Sequence, residues 1–213
     1  MTIDIAWDHY DLVVFDMDGT LYDQRRLRLG MARQLAGEVA RTRSLVVLRL
    51  LSAYRRQREA LGRMEAEDFQ ERQYHLPRHR PETVRALVGE WMEERPLALL
   101  PRCRLPGVER LFDALERRRA VALFSDYPVE AKLASLKLSA SFSICAQEVG
   151  RLKPHPAGLL RLMELAGTSP ARTLMIGDRE DRDGAAARRA GVRALIRGRD
   201  FRNYDDRLFL HAA

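Results

Sequence analysis

Leu12 to Phe15 is a four-residue apolar run holding β-branched Val13 and Val14, and it stops abruptly at Asp16-Met17-Asp18-Gly19-Thr20. Such a run, ended by polar and turn-forming residues, reads as a buried strand followed by a turn. Three later runs have the same form: Val121 to Phe124 before Ser125-Asp126, Thr173 to Ile176 before Gly177-Asp178, and Arg193 to Ile196 before Gly198. A shorter candidate is Ser143 to Ala146. Helical patterns separate them. Val108 to Arg119 brings Val108, Leu111, Phe112 and Leu115 onto one face, and Pro128 to Lys137, Pro156 to Ala166 and Asp181 to Ala190 follow, the last closed by Gly191. Strands alternating with helices predict an α/β fold, a parallel sheet covered on both faces.

The stretch from about Tyr22 to Arg104 breaks that rhythm, because no strand pattern occurs in it. Leu27 to Arg41, Ser44 to Arg58, Glu65 to Tyr74 and Pro81 to Glu94 read as helices, punctuated later by Pro77, Pro81, Pro96 and Pro101. An insert of about 80 residues is too long for a loop and predicts an all-α subdomain. The expected division is residues 1–21 and 105–213 for the core and 22–104 for the insert.

Composition changes this picture in one respect. The 213 residues, 46% hydrophobic and 31% charged, suit a soluble globular chain. No uncharged apolar run approaches the ~20 residues of a membrane helix, and the acidic N-terminal stretch does not resemble a secretory leader. Cys103 and Cys145, far apart and outside any metal-ligand spacing, read as free buried thiols in a reducing cytoplasm. The charge of +7, however, is uneven: residues 23–103 hold 17 Arg and no Lys against 11 acids. That surface either attracts an anion or consists of solvated helix faces in an arginine-rich chain. The basic residues do not alternate with aromatics, so no nucleic-acid partner is expected.

Chemistry collects at the ends of the apolar runs. Asp16 and Asp18, Ser125, and Asp178 all fall where a parallel sheet opens its ligand crevice, and Lys153 joins them from the turn Gly150-Arg151-Leu152-Lys153-Pro154. Several carboxylates in one site cannot all stay ionised without a cation, and an oxygen-only set favours Mg²⁺ over zinc. A carboxylate nucleophile, a metal and a lysine suit phosphoryl transfer. Only three of the 37 basic residues are lysines, so a lysine at position 153 stands out from the chain's habit; a compact ammonium serves there better than a planar guanidinium.

In these motifs the chain resembles the haloacid dehalogenase (HAD) superfamily. The four segments are Asp16-Met17-Asp18-Gly19-Thr20, Ser125-Asp126, Lys153-Pro154 and Gly177-Asp178-Arg179-Glu180-Asp181-Arg182-Asp183, in the superfamily's order. The insert resembles its C1 helical cap, as in phosphatases of subfamily I similar to phosphoglycolate phosphatase. The resemblance implies a three-layer Rossmann-like core and a Mg²⁺-dependent phosphatase. Asp16 would be the nucleophile and Asp18 the acid and then the base, its backbone carbonyl on the metal. Thr20 and Gly19 belong to the nucleophile loop, Ser125 and Asp126 to the phosphoryl site, and Lys153 to charge neutralisation. Asp16, Asp178 and Asp183, with Asp18, would hold the metal, Asp181 being the less favoured candidate by spacing. Arg25 and Arg26, just past the nucleophile loop, either meet an anionic substrate or sit on a solvated face.

The expected partner is a small phosphorylated metabolite. A sugar phosphomutase of the same superfamily, similar to beta-phosphoglucomutase, would share these motifs. Dehalogenation needs no second acid two residues after the nucleophile, and Asp18 with Asp178 speaks against it. The residues do not distinguish monomer from homodimer.

Overall fold

The structure, a computed structural model, describes residues 5–212; residues 1–4, part of the N-terminal stretch considered above, and residue 213 lie outside it. Its five strands are β1 (Leu12–Phe15), β2 (Ala120–Ser125), β3 (Phe142–Cys145), β4 (Thr173–Gly177) and β5 (Arg193–Ile196), in the sheet order β3-β2-β1-β4-β5. Every pairing is parallel. β1 is central, with Val14 in register with Ala122 of β2 on one side and with Met175 of β4 on the other.

The apolar runs lack alternation because both faces of the sheet are covered. Val13, Phe15, Val121, Leu123, Leu174 and Ile176 pack on one side, under α6 (Val108–Glu116), α7 (Glu130–Leu136) and the C-terminal segment. Leu12, Val14, Ala122, Phe124 and Met175 pack on the other, under α9 (Ala157–Ala166) and α10 (Ala185–Arg189). This is the three-layer Rossmann-like α/β architecture.

Between β1 and α6 the described residues form no strand beyond the isolated Tyr22–Arg104 bridge, and the other elements are helices, among them α1 (Gln24–Thr42), α2 (Val46–Arg63), α3 (Phe69–Arg72), α4 (Pro81–Val88) and α5 (Leu100–Cys103). α8 (Ala146–Val149) completes the numbering, between β3 and α9. Asp23 caps α1, its carboxylate accepting the amides of Arg25 and Arg26 at 2.9 and 3.2 Å. Leu50, Leu51, Tyr54, Val84, Val88 and Trp91 form a separate apolar cluster within this helical part. The two chain crossings to the core run side by side: the Asp23 amide donates to the Cys103 carbonyl at 2.7 Å, and the Leu105 amide to the Leu21 carbonyl at 3.1 Å.

Some expected elements are shorter. Of Glu65–Tyr74 only Phe69–Arg72 is helical, and Glu65 itself has φ +50°. The Pro81 helix widens into a π-type turn over Gly89–Glu94, where a poor helix former is followed by Pro96, which has no N–H to donate. The helix expected from Asp181 likewise opens with a π-type turn, Glu180–Gly184. Past Ile196, where no element is predicted, Phe201, Tyr204 and Phe209 bury against the sheet. Both cysteines are free and buried, and no helix among the described residues is long and apolar enough to cross a membrane.

Candidate active site

Parallel strands aim their carboxyl ends at one crevice, and three strands of this sheet and one loop deliver a polar side chain to it. Asp16 follows β1, Ser125 ends β2, Asp178 follows β4, and Lys153 comes from the loop between α8 and α9. The Lys153 ammonium sits 2.5 Å from Asp16 Oδ1 and 2.6 Å from Asp183 Oδ1, and it also donates to the Phe124 carbonyl at 3.1 Å. Thr20 donates to the second Asp16 oxygen at 2.8 Å. Both oxygens of Asp16 are therefore held, which fixes the carboxylate plane.

Asp183 has a second attachment: its Oδ2 accepts the amides of Asp178 and Arg179 at 3.1 and 3.0 Å. This bond folds the loop after β4 back so that Asp178 faces Asp16. Gly19, at φ +97°, permits the same approach from the other side; a Cβ there would stand 2.2 Å from Asp178 Oδ2. Asp16, Asp178 and Asp183 each place an oxygen within 4.8 Å of the others. Three carboxylates face one ammonium, so two negative charges lack compensation among these groups. An oxygen-only, partly buried set of this kind fits a hard divalent cation.

The electrostatics say the same. Burial pushes the Asp16 carboxyl well above its ordinary range; Lys153 opposes that, and Asp183, Asp178 and Asp18 add to it. Burial, followed by Asp183, raises Asp178 to about 6. Burial alone would lower Lys153, but Asp16 and Asp183 reverse the effect and hold it above the usual lysine range. These are the signatures of crowded like charge.

Asp18 lies in a different setting. Its Oδ1 accepts the Lys132 ammonium at 2.6 Å and the Tyr22 hydroxyl. Burial raises its pKa, yet Lys132, with Tyr22 in support, brings the net shift below the ordinary carboxylate value. Two carboxylates two residues apart are thus pushed in opposite directions.

The remaining predicted residues fall in and behind the wall. The Asp126 side chain accepts the Lys153 amide at 3.0 Å. Ser125 is fully buried, its hydroxyl accepting the Tyr127 amide at 3.2 Å. Asp181 is turned away and pairs with Arg179 at 2.9 Å. Arg25 and Arg26 sit on the exposed outer side of α1, Arg26 reaching Asp23 at 3.6 Å, and neither lines the crevice.

Other contributors lacked a sequence signal of their own. A cavity of about 460 Å³ extends from Asp16, Asp178 and Lys153 into the helical part, where α1 and α2 wall it. Arg58 of α2 donates to the Asp126 carbonyl and lies 4.2 Å over the Tyr127 ring. Glu59 pairs with Arg179 at 2.8 Å and Arg182 at 2.6 Å, and Arg182 also donates to the Lys153 carbonyl. The two arginines hold Glu59 down at about 2 against the opposing effect of burial. Tyr204 and Arg197 brace the loop after β1 from the C-terminal segment, donating to the carbonyls of Thr20 and Gly19 at 3.0 and 2.8 Å. Lys132 alone had a readable clue: it is one of the chain's three lysines.

A parallel sheet with an acidic loop after its central strand, a lysine and a helical insert defines a class, and the comparisons agree. The family model of the haloacid dehalogenase-like hydrolases matches residues 10–191, and the chain belongs to that family of enzymes. A 2-haloacid dehalogenase from Pseudomonas syringae pv. Tomato DC3000 is similar in structure, with TM-score 0.64 and 23% identity over 94% of this chain and 92% of that one. A putative HAD-hydrolase of Bacillus subtilis bound to magnesium has TM-score 0.59 and 18% identity, over 88% of each chain. A HAD phosphatase from Thermococcus onnurineus has TM-score 0.56 and 21% identity, over 89% of this chain and 87% of that one. No curated protein matches the chain.

Proposed function

We propose that this hydrolase is a magnesium-dependent phosphatase acting on a small phosphomonoester, with residues 22–104 as its cap. The observation that carries the reading is the crowd of Asp16, Asp178 and Asp183 within 4.8 Å of one another against the single ammonium of Lys153. A site so acidic repels a phosphate dianion unless a cation is bound. Mg²⁺ held by Asp16, Asp178, Asp183 and, as the family resemblance implies, the Asp18 backbone carbonyl would offset the repulsion between attacker and phosphoryl group. Dehalogenation of an uncharged carbon has no such requirement.

The protein's own groups account for the rest. Asp16 attacks phosphorus in line, the P–O bond to the alcohol breaks, and an aspartyl-phosphate forms. Lys153, between Asp16 and Asp183, neutralises charge on the attacking carboxylate and on the transferred oxygens. Asp18 gives its proton to the leaving oxygen; the arriving phosphate dianion raises the Asp18 pKa by like-charge repulsion against the pull of Lys132. Asp18 then takes a proton from the water that attacks phosphorus and releases phosphate. Gly19 and Thr20 keep the loop in shape, and Ser125 and Asp126 bound the phosphoryl pocket. The buried free thiols of Cys103 and Cys145 suit a reducing cytoplasm.

The test is the Asp16→Asn variant, assayed with p-nitrophenyl phosphate and magnesium. Loss of at least ~10³-fold in kcat, with an unchanged circular dichroism spectrum, is expected. Turnover near the wild-type rate contradicts the reading.

A further inference from the structure

The cavity wall is graded along its length. Eleven residues separate Gln24 from Leu35 on α1, and eleven separate Glu59 from Leu48 on α2, so each helix lines about 16 Å of it. Followed along the two helices away from Asp16, Asp178 and Lys153, the lining passes Arg28 on α1 before Met31, Ala32 and Leu35, and Arg55 on α2 before Leu51 and Leu48. Arg28 and Arg55 are exposed and have no carboxylate in ion-pair reach among the described residues.

Met31, Leu35 and Leu51 are where the insert's apolar cluster opens onto the cavity, and Leu48 and Ala32 extend that wall beyond it. α2 carries two stripes. Leu50, Tyr54 and Leu61 are buried inside the protein, Leu48, Ser52, Arg55 and Glu59, at helical spacing on another side, face the cavity, and buried Leu51 and Arg58 lie between the two and also line it. Leu48 is 40% exposed and takes no part in the insert's apolar cluster. A very small, fully polar phosphate ester would fill the charged end and leave this wall against water. Apolar walls with a few convergent charges are how sites select amphiphiles.

Resting on the phosphatase reading, we infer that the substrate is the phosphomonoester of an amphiphilic alcohol. Its phosphate lies at Asp16, its polar middle against Arg28 and Arg55, and its hydrocarbon or aromatic end along Met31, Leu35, Leu48 and Leu51.

The experiment uses n-alkyl phosphates from ethyl to octyl, assayed on the full chain with magnesium, and the matching n-alkylphosphonates, which are not hydrolysed, titrated by calorimetry. Both kcat/KM and phosphonate affinity are expected to rise up to about fourfold for each methylene the wall covers. Leu48→Asp, on an exposed position that the fold tolerates, should cut the octyl-to-ethyl ratio at least ~5-fold. Turnover across the series with neither rate nor affinity responding to chain length overturns the inference and leaves the phosphatase intact. Affinity that rises with chain length without turnover of any alkyl phosphate keeps the amphiphile site and overturns the phosphatase reading instead.

Discussion

The strand ends and the helical wall meet in one cavity but are built on opposite principles. At the strand ends the groups hold one another: Lys153 bridges Asp16, Asp183 and the Phe124 carbonyl, and Asp183 also holds two amides of the loop after β4. On the helical wall Arg28 and Arg55 have no carboxylate partner among the described residues, and Leu48 stands part in solvent. Chemistry needs groups fixed to within fractions of an ångström, whereas selection among substrates needs a surface of the right character. Perturbing the first region should cost orders of magnitude, and perturbing the second only small factors.

The largest effect is expected at Lys153. Lys153→Met leaves Asp16 and Asp183 buried without their counter-charge, which should cost about 3–5 kcal/mol of stability by chemical denaturation and abolish turnover. Lys153→Arg should also lose at least ~10²-fold in kcat, because a planar guanidinium does not fit a pocket shaped for one ammonium. A fully active Lys153→Arg enzyme would break the distinction between the two regions.

A second perturbation is the proton. Burial and neighbouring carboxylates raise Asp16 and bring Asp178 from 3.8 to about 6. A carboxyl whose folded pKa is raised favours the folded state while protonated; that contribution is complete below the unfolded value and is lost as pH rises through the folded one. The metal-stripped protein should therefore lose Tm as pH climbs from about 4 through about 6. Magnesium needs the ionised carboxylates, so its stabilisation should be small near pH 5 and several degrees near pH 7.5. Equal stabilisation at both values would argue against metal binding by this cluster.

Lys132 lies at the boundary of the two regions and should give an intermediate effect. Lys132→Met removes the cation that pulls the Asp18 pKa down. The acidic limb of the pH–rate profile should move upward, with a ~10–100-fold fall in kcat near neutrality. An unmoved limb would mean that Asp18 is not the proton carrier.

The smallest effect belongs to Glu59. Its pairs with Arg179 and Arg182 join the insert to the core, but Glu59 is part-exposed, and such pairs contribute about 1 kcal/mol or less each. Glu59→Gln should raise KM a few-fold with kcat nearly unchanged.

What could be read from the residues alone follows the same division. Five strands were recognisable because each is a local apolar run, and Asp16, Asp178 and Lys153 because turn-forming neighbours mark where those runs or their loops stop. Glu59 and Tyr204 were not, and Lys132 showed only as one of three lysines, because each acts across a long stretch of chain: Lys132 reaches Asp18, Glu59 reaches Arg182, and Tyr204 reaches the Thr20 carbonyl. Arg25 and Arg26 show the same limit at short range. Proximity to the nucleophile loop suggested them, but α1 turns them outward and brings Arg28, less than one turn later, to the cavity. Helical phase there depends on where Asp23 caps the helix, and that is settled by its amide's bond to the distant Cys103 carbonyl.

The central claim is that Asp16 carries the phosphoryl group. Turnover quenched in acid within the first cycle, followed by peptide mass spectrometry, tests it directly. The account predicts one phosphoryl group on the peptide containing Asp16, absent when magnesium is removed and absent in Asp16→Asn. Sustained phosphate release with Asp16 never modified, or a phosphoryl group found on another residue, would contradict it.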